Sequence, residues 1–127
     1  MEQRFLIDTN VVIDALGAEM PAETRDFIGA MTPIVSAVTY MEALGWHKAS
    51  PQQLAPLQAF LSAATVLPID QTVVNKTVLI RQQKKIGLGD AIIAAAALLH
   101  DLILLTRNTG DFKDINGLKT LNPWQIK

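Results

Sequence analysis

The sequence predicts an α/β fold, with helices on both faces of a mostly parallel sheet. Two observations carry that prediction. Short, strongly apolar runs end abruptly in polar residues, as buried strands of a parallel sheet do. Phe5-Leu6-Ile7 runs into Asp8-Thr9-Asn10, and Leu102-Ile103-Leu104-Leu105 runs into Thr106-Arg107-Asn108. Between such runs lie stretches with helical spacing of apolar residues, so strands and helices alternate along the chain.

Phe5-Leu6-Ile7 is the first strand, and a helix is expected through Asn10-Val11-Val12-Ile13. Pro33-Ile34-Val35 reads as the second strand and Val38 to His47 as the helix after it. Leu54, Leu57 and Leu61 repeat at three and four, but Pro56 lacks a backbone N–H and is expected to split that helix in two. Thr65 to Pro68 is a third strand. Asp70 to Lys85 opens on an Asp cap and carries Val74 and Val78 on one face. Asp90 to His100 is alanine-rich and apolar nearly all round, which predicts a buried helix. Leu102 to Leu105 and Leu118 to Leu121 complete a sheet of about five strands. No repeat or low-complexity tract interrupts this order, so residues 1–127 are expected to form one domain.

Composition excludes several classes of function. Half the residues are hydrophobic and 18% are charged, so a disordered linker is ruled out. The absence of cysteine removes thiol nucleophiles, disulfide scaffolds and zinc sites built on Cys. Two histidines, His47 and His100, are too few for a His-rich metal centre. The longest apolar run, Ala91 to Leu99, is far shorter than the roughly 18 residues of a membrane span. With no signal peptide read at the amino terminus, a soluble cytoplasmic protein with no membrane partner is expected. The net charge of −1 argues for no particular partner. Lys76, Arg81, Lys84 and Lys85 are clustered, which most simply makes a solvated helix face.

The chemistry is expected at the carboxyl ends of the strands, where open parallel sheets bind ligands. Asp8, Thr106 and Asn108 fall at such ends, and Asp111 follows in the loop Asn108-Thr109-Gly110-Asp111-Phe112. Asp90 comes directly after Gly87-Leu88-Gly89. Glu42 sits in a helix among Val38, Met41 and Leu44, which turns its carboxylate inward or into a cleft. Each acid alone has an ordinary reading. Asp8 and Asp90 would serve as helix N-caps, Asp111 as a turn residue, and Glu42 as a solvated rim acid. Asp14, Glu19, Glu23, Asp26 and Asp101 read as surface acids.

Together, converging carboxylates repel one another unless protons or a cation hold them. Hard divalent cations such as Mg²⁺ or Mn²⁺ take oxygen ligands where carboxylates meet phosphates. Thr9, Asn10, Thr106 and Asn108 are candidates to support such ligands by hydrogen bonding. Arg107, Lys84 and Lys85 are candidate phosphate contacts.

Four segments then resemble one known family. Asp8-Thr9-Asn10 after the first strand resembles the opening motif of PIN-domain ribonucleases. Ser36 to Glu42 resembles their second acidic segment, Gly89 to Ala97 the third, and Thr106 to Phe112 the fourth. Within the family the likeness is nearest to VapC-type toxins of toxin–antitoxin pairs. The resemblance implies a three-layer α/β/α domain with strand order 3-2-1-4-5 and a Mg²⁺ or Mn²⁺ site. It also implies endonucleolytic cleavage of RNA that leaves a 5′-phosphate and a 3′-hydroxyl. Asp8, Glu42 and Asp90 carry over as metal and catalytic residues. Asp111 matches the fourth acid, with Asp114 nearby as its rival.

A homodimer and an inhibitory antitoxin partner are implied by the same resemblance. Met20, Phe27, Ile28, Met31, Trp46 and Phe60 are candidate contacts for those partners. Two alternatives stay open. One is a catalytically silent PIN-like binding module. The other is a phosphatase of the haloacid dehalogenase type, which would want an Asp at position 10, where this chain has Asn.

Overall fold

The computed structural model describes residues 4–17 and 20–125. Glu19, read above as a surface acid, lies outside them. Five strands and six helices follow in the order β1 (Phe5–Ile7), α1 (Thr9–Ala15), α2 (Ala22–Gly29), β2 (Ile34–Ser36), α3 (Ala37–Leu44), α4 (Pro51–Ala63), β3 (Thr65–Leu67), α5 (Gln71–Gln83), α6 (Leu88–Leu99), β4 (Ile103–Leu105) and β5 (Thr120–Leu121). Every strand pairing is parallel.

The ladders form two pieces rather than one continuous sheet. Strands β1, β4 and β5 are hydrogen-bonded in that order, and β2 pairs with β3. Strand β2 lies beside β1 without a ladder between them. The two pieces are compatible with the order 3-2-1-4-5, but the ladders establish only 1-4-5 and 2-3, and β2 meets β1 by packing alone.

Successive strand residues point to opposite faces, and this alternation builds the layers. Leu6, Ile34 and Leu104 pack with Val73, Ile80 and the alanine-rich face of α6 on one side. Their neighbours Ile7, Val35 and Leu105 pack with Val11, Val12, Ile28, Leu57 and Leu61 on the other. The expected burial of α6 holds, with Ala91 through Ala97 all buried.

Three local expectations are corrected. Helix α4 runs unbroken through Pro56, which is exposed in the middle of the helix. A capping box between Ser50 and Gln53, together with Pro51 in the first turn, fixes the amino-terminal end of that helix. On α5 the buried face is Val73, Thr77 and Ile80, while Val74 and Val78 are exposed. Thr77 can be buried because its hydroxyl donates to the Val73 carbonyl at 2.7 Å. Of the six candidate partner contacts, Met20 and Ile28 are core and Phe27, Met31 and Phe60 are half-buried against it. Only Trp46 is exposed, at 39%. Among the described residues no helix is long and apolar enough to cross a membrane.

Candidate active site

Asp8 stands where β1 becomes α1, and its N–H continues the strand ladder by donating to the Leu105 carbonyl at 3.1 Å. It occupies the N-cap position of α1, yet its side chain caps nothing. A cap there would contribute about 1 kcal/mol to the helix. Instead the carboxylate reaches across to β4, where the Thr106 hydroxyl donates to Oδ2 at 2.8 Å. Thr106 is itself oriented by the Asn108 backbone N–H, 3.1 Å from its oxygen. Both Asp8 and Thr106 are buried.

Glu42, on α3, is held by Thr9, the residue that follows Asp8. The Thr9 hydroxyl lies 2.7 Å from Glu42 Oε1 and 2.9 Å from Thr39 Oγ1. A carboxylate only accepts, so Thr9 donates to Glu42 and is free to take the Thr39 proton in turn. Glu42 faces the cleft but remains exposed, a rim position rather than an interior one.

Asp90 lies in the first turn of α6, three residues past the N-cap, which is Gly87. The expectation that Asp90 itself caps this helix is thereby corrected. A Cβ on Gly89 would sit 2.8 Å from Glu42 Oε2, so any side chain there would push that carboxylate aside. Glycine there lets the start of α6 come up against the Glu42 carboxylate. Gly89→Ala should therefore keep or slightly raise the melting temperature, since alanine favours helix by about 1 kcal/mol. The same change should lower activity by displacing Glu42. A melt and a rate measured on one preparation check both halves.

Asp8, Glu42 and Asp90 line one cleft of about 310 Å³, with Thr9, Asn10, Ile13 and Trp46. Asp111, in a short 3-10 turn over Thr109–Phe112, is exposed but close enough for its charge to act on Asp90. Its rival Asp114 has a left-handed φ of 67° and is exposed, which makes it the turn residue of the pair. Asn10 lines the cleft, whereas Asn108 contributes its backbone rather than its amide. Lys84 and Lys85 are not brought to the acids; they line a separate hollow with Arg81 and Leu88. Thr39 and Gly89 were missed as supports, and neither has a sequence signal beyond lying beside a recognised acid.

Burial pushes the Asp8 carboxyl above its ordinary value of 3.8; the Thr106 hydrogen bond opposes this, while Asp90 and Glu42 add to it. Asp90 is raised as well, first by burial and then by the charges of Asp111 and Glu42. The fold thus binds these protons more tightly than the unfolded chain does. Stability of the metal-free protein should be greatest below about pH 3.8 as far as these two groups decide it. It should then fall as pH rises through their folded values and level off above them. Melting curves in a chelator across that range, set against the Asp8→Asn curve, isolate the contribution of Asp8.

No cation answers these charges among the described residues. The one salt bridge there joins an exposed Arg107 to a half-buried Asp14 at 4.0 Å. Among the described residues no three of the acids are gathered closely enough to enclose an ion by themselves. An ion held here would keep several of its waters, as Mg²⁺ and Mn²⁺ do when one or two carboxylates bind them. The donor set is all oxygen, as such ions require.

The family model described as PIN domain matches residues 5–118. The chain belongs to the PIN-domain family. It is 33% identical to the tRNA(fMet)-specific endonuclease VapC of Shigella flexneri, over 92% of this chain and 96% of that protein. It is 38% identical to ribonuclease VapC1 of Rickettsia felis, over 92% of this chain and 94% of that one. Among solved structures it resembles a toxin–antitoxin complex from Klebsiella pneumoniae, with a TM-score of 0.76 and 35% identity. That match covers 95% of this chain and 98% of the other. The PIN fold and its VapC-like branch, expected from four short segments, thus hold over almost the whole length.

Proposed function

We propose that this chain is a Mg²⁺- or Mn²⁺-dependent endoribonuclease and the toxin of a toxin–antitoxin pair, acting as one PIN domain over residues 1–127. The observation that carries the reading is the convergence of Asp8, Glu42 and Asp90 from three elements on one cleft, with Asp111 beside them. A divalent cation in that cleft would supply an activated water and stabilise the leaving oxyanion. The protein's own part is positioning. Thr106 fixes Asp8, Thr9 fixes Glu42, and Gly89 admits α6 to the site. With the attacking water and the phosphodiester held in line, orientation supplies much of the rate.

The VapC names of the relatives support RNA as substrate. The toxin–antitoxin complex among the structural relatives supports a cognate antitoxin, and we extend the reading to a homodimer of this chain. An unpaired carboxylate cluster also suits an inhibitor's arginine, whose planar fork binds carboxylates bidentately. Incubation of single-stranded RNA with the purified protein and Mn²⁺ tests the activity. Cleavage into fragments with 5′-phosphates, abolished by EDTA and inhibited by the antitoxin, is the expected result. Intact RNA, or cleavage indifferent to EDTA in a nuclease-free preparation, would overturn it.

A further inference from the structure

Both tryptophans of the chain, Trp46 and Trp124, lie on a single groove of about 510 Å³. That groove runs into the carboxylate cleft, because Ile13 and Trp46 line both. Trp46 follows the last turn of α3 through Gly45, where a Cβ would stand only 2.5 Å from the Met41 carbonyl oxygen. Glycine closes that turn and delivers the indole to the junction of cleft and groove. Further along, the Arg107 guanidinium lies over the Trp124 ring, 4.6 Å from its centroid. Its ion pair with Asp14 is long, at 4.0 Å, and its side chain is 57% exposed. The guanidinium thus keeps donors for a second anion.

An exposed aromatic face beside a stacked guanidinium is the chemistry of single-stranded nucleic acid, whose bases stack and whose phosphates pair with arginine. A duplex offers no free base face to an indole. We propose that this groove binds the single-stranded stretch of RNA flanking the scissile bond, with one unpaired base on Trp46 and a phosphate on Arg107. The inference rests on the ribonuclease reading and names the form of substrate that the site accepts. The indole beside a guanidinium is what favours RNA over a protein occupant: a strand with its phosphate at the acids that leaves past Trp46 meets a cation in the groove.

Because both tryptophans are in the groove, their emission reports its occupancy. Binding is measured with a single-stranded 12-mer RNA in the Asp8→Asn background, which leaves the RNA uncut. The RNA should quench the emission, and Trp46→Ala should weaken binding roughly 5- to 150-fold, the range for one stacked base. Trp46→Phe should keep most of the affinity, and the same sequence as a duplex should bind more weakly than the single strand. Arg107→Gln should flatten the salt dependence by about one ion.

With Asp8 intact, Trp46→Ala should raise KM for RNA cleavage more than it lowers kcat. Equal affinity in parent and Trp46→Ala, or equal loss in the Ala and Phe variants, overturns the proposal. So does duplex binding that matches the single strand. Loss of a co-expressed antitoxin from Trp46→Ala with RNA affinity unchanged would assign the groove to protein and overturn it too. If the parent cuts no RNA, the ribonuclease reading falls, while Trp46-dependent quenching by single-stranded RNA would leave the groove assignment standing.

Discussion

Asp8→Asn is expected to lower RNA cleavage by about 10²–10⁴-fold while raising the melting temperature of the metal-free protein at neutral pH. The two effects have one cause. Asp8 is buried at 4% exposure, and the charges of Asp90 and Glu42 face it, so its ionised form is held at a cost to the fold. Asparagine removes that charge. Its side-chain oxygen can still accept from Thr106, which lies 2.8 Å from Oδ2 in the parent. Geometry is thereby preserved while an anionic ligand is lost. Asp90→Asn should behave alike, for its carboxyl is also raised by burial and by the acids beside it. Activity assays and melts in EDTA on the same variants check the pair of outcomes. A variant that loses activity together with stability would point to a structural role for Asp8 instead.

The acids were legible in the sequence because each lies within a few residues of a boundary that the sequence also marks. Asp8 ends an apolar run, Asp90 follows a glycine pair, and Asp111 sits in a polar loop after β4. What was hidden depends on residues distant along the chain. Thr39 supports Thr9 from 30 residues away, and the need for glycine at 89 exists only because Glu42 arrives opposite it. Helix α5 shows the same limit in the core. Val74 and Val78 have the same i, i+4 spacing as the Val73 and Thr77 that are buried. Periodicity alone cannot choose between the two faces, and the face that won carries a threonine whose hydroxyl is satisfied within its own helix. The β2–β1 seam is likewise a tertiary outcome, since both strands are three residues long and nothing local decides whether a ladder forms.

The second large effect is metal-linked stability. A ligand that binds the native cleft and not the unfolded chain stabilises the fold by about 2.7 kcal/mol at a hundredfold excess over its dissociation constant. Here the gain has a specific source. The cleft gathers Asp8, Glu42 and Asp90 with no cationic partner among the described residues, and a divalent ion bound there would offset the burial, and with it the mutual repulsion, that raise the Asp8 and Asp90 carboxyls. Mn²⁺ should therefore raise the melting temperature most at neutral pH, where the acids are ionised. The gain should shrink as pH falls through their raised values, because protons then compete with the ion for the same oxygens. In Asp8→Asn the metal-dependent rise should be much smaller, even though that variant begins from a higher melting temperature without metal. Thermal scans with and without Mn²⁺, at neutral and at acidic pH, separate this from binding elsewhere. An equal rise in parent and variant would place the ion outside the cleft, and with it the chemistry proposed for these carboxylates.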